Sequence, residues 1–240
     1  KIWNASRYVL MNIEGLEKIE LESLTIQDKW IMTKYMNLVK SMKKHMDKYE
    51  FNIGASELYS FIWDEFCSSY IELSKRTISS STTKSVLYVV LEGILKILHP
   101  FMPFVSEELW DKTADRKEML MEAAWPVLNA YEDKAVAENQ DWIFNLVTTV
   151  RSVRSSVNIP AAAKIMLKVK DATENQRKNI EDNAAILKSL AKVEDIQFVS
   201  ETEAGEVAQV VDGMTLLIPL AGLIDVAKEK ERVTKEMQNV

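Results

Sequence analysis

The 240 residues include one cysteine, two histidines, six glycines and five prolines. A single cysteine excludes a disulfide framework and a Cys-rich zinc module. His45 and His99 are too few for a histidine-based metal site. So little glycine and proline, beside 28% charged residues, excludes collagen-like and disordered classes. No apolar run reaches the roughly 18–20 residues that a membrane helix needs. A Gly-rich phosphate loop, a G-x-S-x-G elbow, an H-E-x-x-H helix and an Asp cluster at metal spacing are all missing. The chain opens KIWNASRYVL, with neither an initiator Met nor a signal peptide. The expectation is a piece of a longer, reduced, cytoplasmic protein with no membrane partner.

Charge is also modest. The net value of −6 argues against a protein that coats itself with nucleic acid through bulk charge. The distribution is uneven, with nine Lys/Arg against seven Asp/Glu over residues 1–50, and seven against eleven over 51–128. A local basic face therefore stays open as a possibility.

What is present is helical periodicity. Ile2, Trp3, Val9, Leu10 and Ile13 begin an amphipathic stretch, and SLTIQ at 23–27 offers caps for the next. Ile31, Tyr35, Leu38, Met42, His45 and Tyr49 then step by three or four, which is one stripe of a long helix. Asn52-Ile53-Gly54 reads as a turn. A second helical run comes after it, with Leu58, Phe61, Ile62, Phe66, Tyr70 and Leu73 inward. From about 84 to 98 the chain is apolar nearly all round, as in the central helix of a bundle, and His99-Pro100 stops it. Pro103 opens another short helix. Trp125-Pro126 marks a boundary, and Ile143, Leu146, Val150, Val153 and Val157 define one more helical face.

The period then changes. Ile165, Leu167 and Val169 alternate with lysines and Met166, which predicts a strand with one wet face. A helix, a strand at 196–199 and a hairpin around Asp212-Gly213 complete a small α+β domain. Val226, Val233, Met237 and Val240 keep heptad spacing. The expected fold is mainly α: a helical bundle at 1–128, the α+β domain at 129–224, and the start of a coiled-coil helix at 225–240.

No catalytic or metal-binding set converges in this pattern. Asp64-Glu65 and Glu107-Glu108 are neighbours that point apart on a helix. His45 lies on an apolar stripe, and His99 sits where it can cap helix carbonyls. Cys67 has no adjacent group to activate it. Lys40, Lys43, Lys44 and Lys48 form either a solvated face or a phosphate-steering one. Arg7 and Tyr8, with Asn4 a turn away, offer stacking and base-edge hydrogen bonds of the kind that unpaired RNA needs, whereas Trp3 is expected to pack into the bundle.

Three segments carry a family resemblance. KIWNASRYVLMN at 1–12, WDEFCSSYIE at 63–72 and HPFMPFVSEELW at 99–110 resemble the anticodon-binding bundle of class I tRNA synthetases for branched aliphatic amino acids. VRSVRSSVNIPAAAKI at 150–165, LIPLAGLID at 217–225 and the heptads after it are similar to the valyl-specific branch of that family. The resemblance implies a parent enzyme that uses ATP to attach valine to its tRNA. The catalytic and editing domains would lie elsewhere in the same chain, so no cofactor is expected in this part. Lys40-Ser41-Met42-Lys43-Lys44 is only superficially like the family's KMSKS loop, because it lies within a helical stripe. The implied task is binding of the anticodon stem and loop. Asn4 and Arg7 match the family motif, Lys1 and Tyr8 come next, and Lys40, Lys43, Lys44, Lys75 and Arg76 are added from charge alone. Two alternatives stay open: a protein-interaction scaffold that pairs through its heptads, and the equivalent region of an isoleucyl enzyme.

Overall fold

The helix-forming half of the sequence becomes a bundle, and the alternating half becomes a sheet. The computed structural model describes residues 1–115, 117–126 and 132–223. It divides into two compact units, Lys1–Gln140 and Asp141–Val240. The heptad positions at 226–240 lie outside the described residues.

In the first unit, α1 (Ile2–Leu10), α2 (Ile26–Asp47), α3 (Phe51–Ser60), a π-helix (Phe61–Tyr70), α4 (Ile71–Ser74), α5 (Ser81–Leu98) and α6 (Pro103–Thr113) succeed one another. The α5 helix is the buried one expected from its composition. Val86, Val90, Leu91, Ile94, Leu95 and Ile97 have no measurable exposure. Each such side chain contributes about 1.5–3 kcal/mol relative to exposure. Gly93 lets α2 come close, because a Cβ there would fall on the hydroxyl and ring of Tyr35.

Thr25 caps α2 in a reciprocal capping box with Asp28. This Asp28 carboxylate is 1% exposed and reaches well beyond its own helix. It accepts from Thr25 N (3.0 Å), Thr25 Oγ1 (2.8 Å), Thr83 Oγ1 of α5 (3.2 Å) and Tyr70 Oη of the π-helix (2.5 Å). Burial, reinforced by the Asp28 charge, raises the Tyr70 phenol well above its usual range, so it stays a neutral donor.

Two expectations fail at the next corner. The turn falls at Lys48–Glu50 rather than at Asn52-Ile53-Gly54, and α3 already starts at Phe51. Tyr49 takes the left-handed conformation (φ 60°) that reverses the chain. Gly54 instead serves packing, since a Cβ there would lie 3.2 Å from Met42 Cε. The run after it is also not one α-helix, because residues 61–70 widen into a π-helix. Ser68 and Ser69 Oγ reflect that wider turn by donating to the carbonyls of Trp63 and Asp64, five residues back.

The second unit contains most of α7 (Lys134–Ser156), then β1 (Ile165–Lys170), α8 (Glu174–Asp182), α9 (Ala184–Leu190), β2 (Val193–Val199), β3 (Glu206–Val211) and β4 (Met214–Pro219). The sheet order is β2-β1-β4-β3, with β1 and β2 parallel and the other pairs antiparallel. Ile165, Leu167 and Val169 point inward, in line with their alternation. Asp212 (φ 49°) and Gly213 (φ 78°) form the hairpin turn. Trp142 Nε1 donates to Asp212 Oδ2 at 3.0 Å and ties this turn to α7.

Arg154 is 6% exposed, and backbone carbonyls rather than a carboxylate hold it. Its guanidinium donates to Ala191 and Lys192, and to Pro160, Ala161 and Ala163, at 2.7–3.4 Å. One planar fork therefore joins the 158–164 loop to the end of α9.

Both polar centres can be tested by substitution. Asp28→Ala should lose about 2–4 kcal/mol of stability in urea unfolding, because it removes a cap and leaves two buried hydroxyls unpaired. Arg154→Lys should cost about 2–3 kcal/mol, read as faster amide exchange in β1 and β2, since one ammonium cannot serve five divergent carbonyls.

Candidate nucleic-acid interface

Alternation along α1 decides which of its side chains are available. Ala5, Ser6 and Val9 are buried against the bundle, which turns Asn4 and Arg7 outward, both exposed. Arg7 also lies in the last turn of α1, where a cation complements the helix dipole. Trp3 departs from expectation. It is 43% exposed on the outer face, because Ile2 and Ala5 take the inward positions. Tyr8 is half-buried, and its sheltered hydroxyl finds no hydrogen-bond partner among the described residues. Lys75 Nζ stands 5.9 Å from the Tyr8 ring centroid while also pairing with Glu72 at 2.7 Å. Arg76 is exposed next to it. The structure thus gathers Lys75 with Tyr8, but commits part of its charge to Glu72.

Lys1 sits at the rim of a cleft of about 310 Å³ lined by Ile2, Leu58, Tyr59, Ile62 and Trp63, among others. Its Nζ lies 3.7 Å from the centre of the Trp63 ring and donates to Ser68 Oγ at 2.9 Å. Tyr59 stacks on Trp63 with centroids 5.6 Å apart and an interplanar angle of 13°. The exposed Tyr59–Trp63 pair is a feature that helical spacing did not reveal. The two rings stand four residues apart, the spacing of neighbours on a helix face, but a reading that follows the apolar stripe inward does not look for an exposed pair on the opposite side.

The basic positions of α2 separate into two kinds. Lys40 is engaged in an ion pair with Glu132. Lys43 and Lys44 are exposed and have no ion pair among the described residues. His45 is held on both sides by carboxylates, with Nδ1 2.8 Å from Glu50 and Nε2 3.4 Å from Glu57. His99 does not cap carbonyls as its position suggested. Its Nδ1 shares a hydrogen bond with Ser106 Oγ of α6 at 2.9 Å, linking two helices across the Pro100 break. Burial pushes the Cys67 thiol up, against a smaller opposing pull from Lys1, which disfavours the thiolate. The adjacent carboxylates go separate ways: Glu65 to Lys34 at 2.9 Å, Glu107 to the amide of Leu120 at 2.8 Å and Glu108 to Lys112 at 2.7 Å. Among the described residues there is no group of three or more metal-ligating side chains, and no helix is long and apolar enough to cross a membrane.

A solvent-facing polar and basic helix next to an aromatic cleft has the donor set of an RNA-binding surface. Comparison with known proteins identifies the class. Residues 28–170 match the model of the anticodon-binding domain of tRNA ligase, and the chain belongs to that family. Over its whole length it is also similar to valine--tRNA ligases. The identity is 37% with that of Carboxydothermus hydrogenoformans over 249 residues, covering 100% of this chain. It is 36% with that of Enterococcus faecalis, covering 99%, and 36% with that of Thermotoga maritima, covering 100%. The chain spans 28% of the length of these relatives.

Because Asn4 and Arg7 are both exposed, Asn4→Ala and Arg7→Ala should each stay within about 0.5 kcal/mol of the parent in thermal unfolding. A larger loss in either would mean that α1 uses these side chains to hold the bundle together.

Proposed function

We propose that this chain is the anticodon-binding portion of a valine--tRNA ligase, and that it grips the anticodon stem and loop of valine tRNA through α1. The observation that carries the reading is the exposure of Asn4 and Arg7 on a helix whose opposite face is buried, within a chain that belongs to the anticodon-binding family. Arg7 supplies a planar fork for a base edge or phosphate, and Asn4 a paired donor and acceptor. Lys1, held over Trp63, adds a cation at the end of the same helix. Lys75 adds positive charge beside Tyr8, and the exposed Arg76 follows it in the chain.

The chemistry of the parent, which joins valine to tRNA at the expense of ATP, belongs on this reading to other domains of the same polypeptide. The present residues bind and orient the RNA, and hold no cofactor. Their contribution is to fix the register of the tRNA, so that its acceptor end reaches a remote catalytic centre. Localisation with the cytoplasmic translation machinery belongs to the same reading.

Filter binding over a salt series tests this directly. Valine tRNA should bind with an affinity that falls steeply as salt rises, and Arg7→Ala should weaken binding about tenfold or more at fixed salt. The chain alone should not exchange pyrophosphate into ATP in the presence of valine. Equal binding of tRNA by parent and Arg7→Ala would remove α1 from the interface.

A further inference from the structure

The end of α2 carries four lysines within nine residues, at 40, 43, 44 and 48. Lys40 is spent on Glu132, whereas Lys43, Lys44 and Lys48 are exposed without an ion pair among the described residues. Cations near a helix C-terminus suit its dipole, which would account for the lysines on their own. The dipole does not account for the apolar side chains displayed beside them. Tyr49 is 80% exposed, Phe51 49% and Ile53 48%, and the two rings meet edge to face at 5.9 Å.

The backbone at Tyr49 is more telling. Its φ of 60° is the conformation that usually falls to Gly or Asn at a helix end, and it is costly for a bulky side chain. The turn is nevertheless tightly fixed. Tyr49 N donates to Met46 O at 3.1 Å and Glu50 N to His45 O at 2.9 Å. A ring is thus kept, under strain, on a hydrogen-bonded projection where its aromatic neighbour is the half-exposed Phe51.

Local charge is arranged in the same direction. Three acidic residues lie between 40 and 57: Asp47, Glu50 and Glu57. Glu50 and Glu57 both turn onto the His45 imidazole, at 2.8 and 3.4 Å, and Ser41 Oγ also donates to Glu57 at 2.5 Å. The His45 hydrogen bond, with help from Lys48 and Lys44, holds the Glu50 carboxyl below its usual range. Of these three, Asp47 is the one not drawn onto His45, and it stands exposed beside three exposed ammonium groups.

We propose that this α2–α3 corner is a second RNA contact, resting on the function proposed above. Lys43, Lys44 and Lys48 meet consecutive phosphates, and an unpaired or terminal base stacks on Tyr49. Protein partners fit this surface less well, because lysine is depleted at the core of protein–protein interfaces. Phosphates flanking an exposed base call for cations around a ring.

The test uses valine tRNA and three variants of the chain in filter binding from low to high salt. Tyr49→Asn removes the ring while keeping a residue that tolerates the turn. The triple variant Lys43→Gln/Lys44→Gln/Lys48→Gln removes the phosphate contacts, and Arg7→Ala reports on α1. The triple variant should flatten the slope of log affinity against log salt by about two to three. Tyr49→Asn should lose roughly tenfold in affinity, with the slope unchanged. If both bind like the parent while Arg7→Ala is weakened, the corner is overturned and the α1 reading survives. If the unaltered chain fails to bind any tRNA, both are overturned. Circular dichroism melts matching the parent would show that each variant is folded.

Discussion

Asp28 is a carboxylate with almost no access to water, and the ends of three helices converge on it. It closes the first turn of α2 with Thr25, receives Tyr70 from the end of the π-helix, and receives Thr83 from the first turn of α5. A buried charge is tolerable only when its lone pairs are filled, and here neutral donors fill them from separate elements. Polar contacts of this kind carry direction, which apolar burial does not. The Thr83 contact with Asp28 and the close approach of Gly93 to Tyr35 both fix which face of α5 meets α2.

That constraint extends outward to the proposed binding surface. The π-helix is fixed at its far end by Tyr70, and its near end presents Trp63, over which Lys1 lies. α1 packs on α5, α6 and the π-helix, so its exposed polar face is set in part by two elements, α5 and the π-helix, that donate to Asp28. The RNA contacts proposed for α1, being built on a helix rather than on a loop, would gain from this stiffness, since less order has to be imposed on binding. The second unit uses a different device for the same end, a buried Arg154 that gathers five carbonyls where the chain passes from α7 into the sheet.

Much of this is legible in the residues. The apolar α5, the alternation of β1 and the Asp-Gly hairpin arise from patterns that depend on local spacing alone. The outward display of Asn4 and Arg7 comes from the same arithmetic. What escapes is whatever depends on distant partners. Thr25 reads as a cap, but nothing in SLTIQD announces that Asp28 will also meet Tyr70 and Thr83. The π-helix keeps a hydrophobic pattern close enough to α that Phe66 and Tyr70 fit either period. Gly54 has the look of a turn, whereas it is a contact for Met42, and the real turn uses Tyr49, a residue that propensity would never nominate. The size of Trp3 argues for an inward position, yet the inward positions beside it are taken by smaller side chains. Arg154 sits off the apolar face of its helix and is still buried, because the carbonyls that solvate it come from beyond that helix.

The central claim is that this chain recognises the anticodon arm of a tRNA with a surface organised around α1. Nuclease footprinting of end-labelled valine tRNA in the presence of the chain examines it most directly. Protection confined to the anticodon stem and loop is the predicted result. Protection centred on the acceptor stem, or an unchanged cleavage pattern at saturating protein, would contradict it.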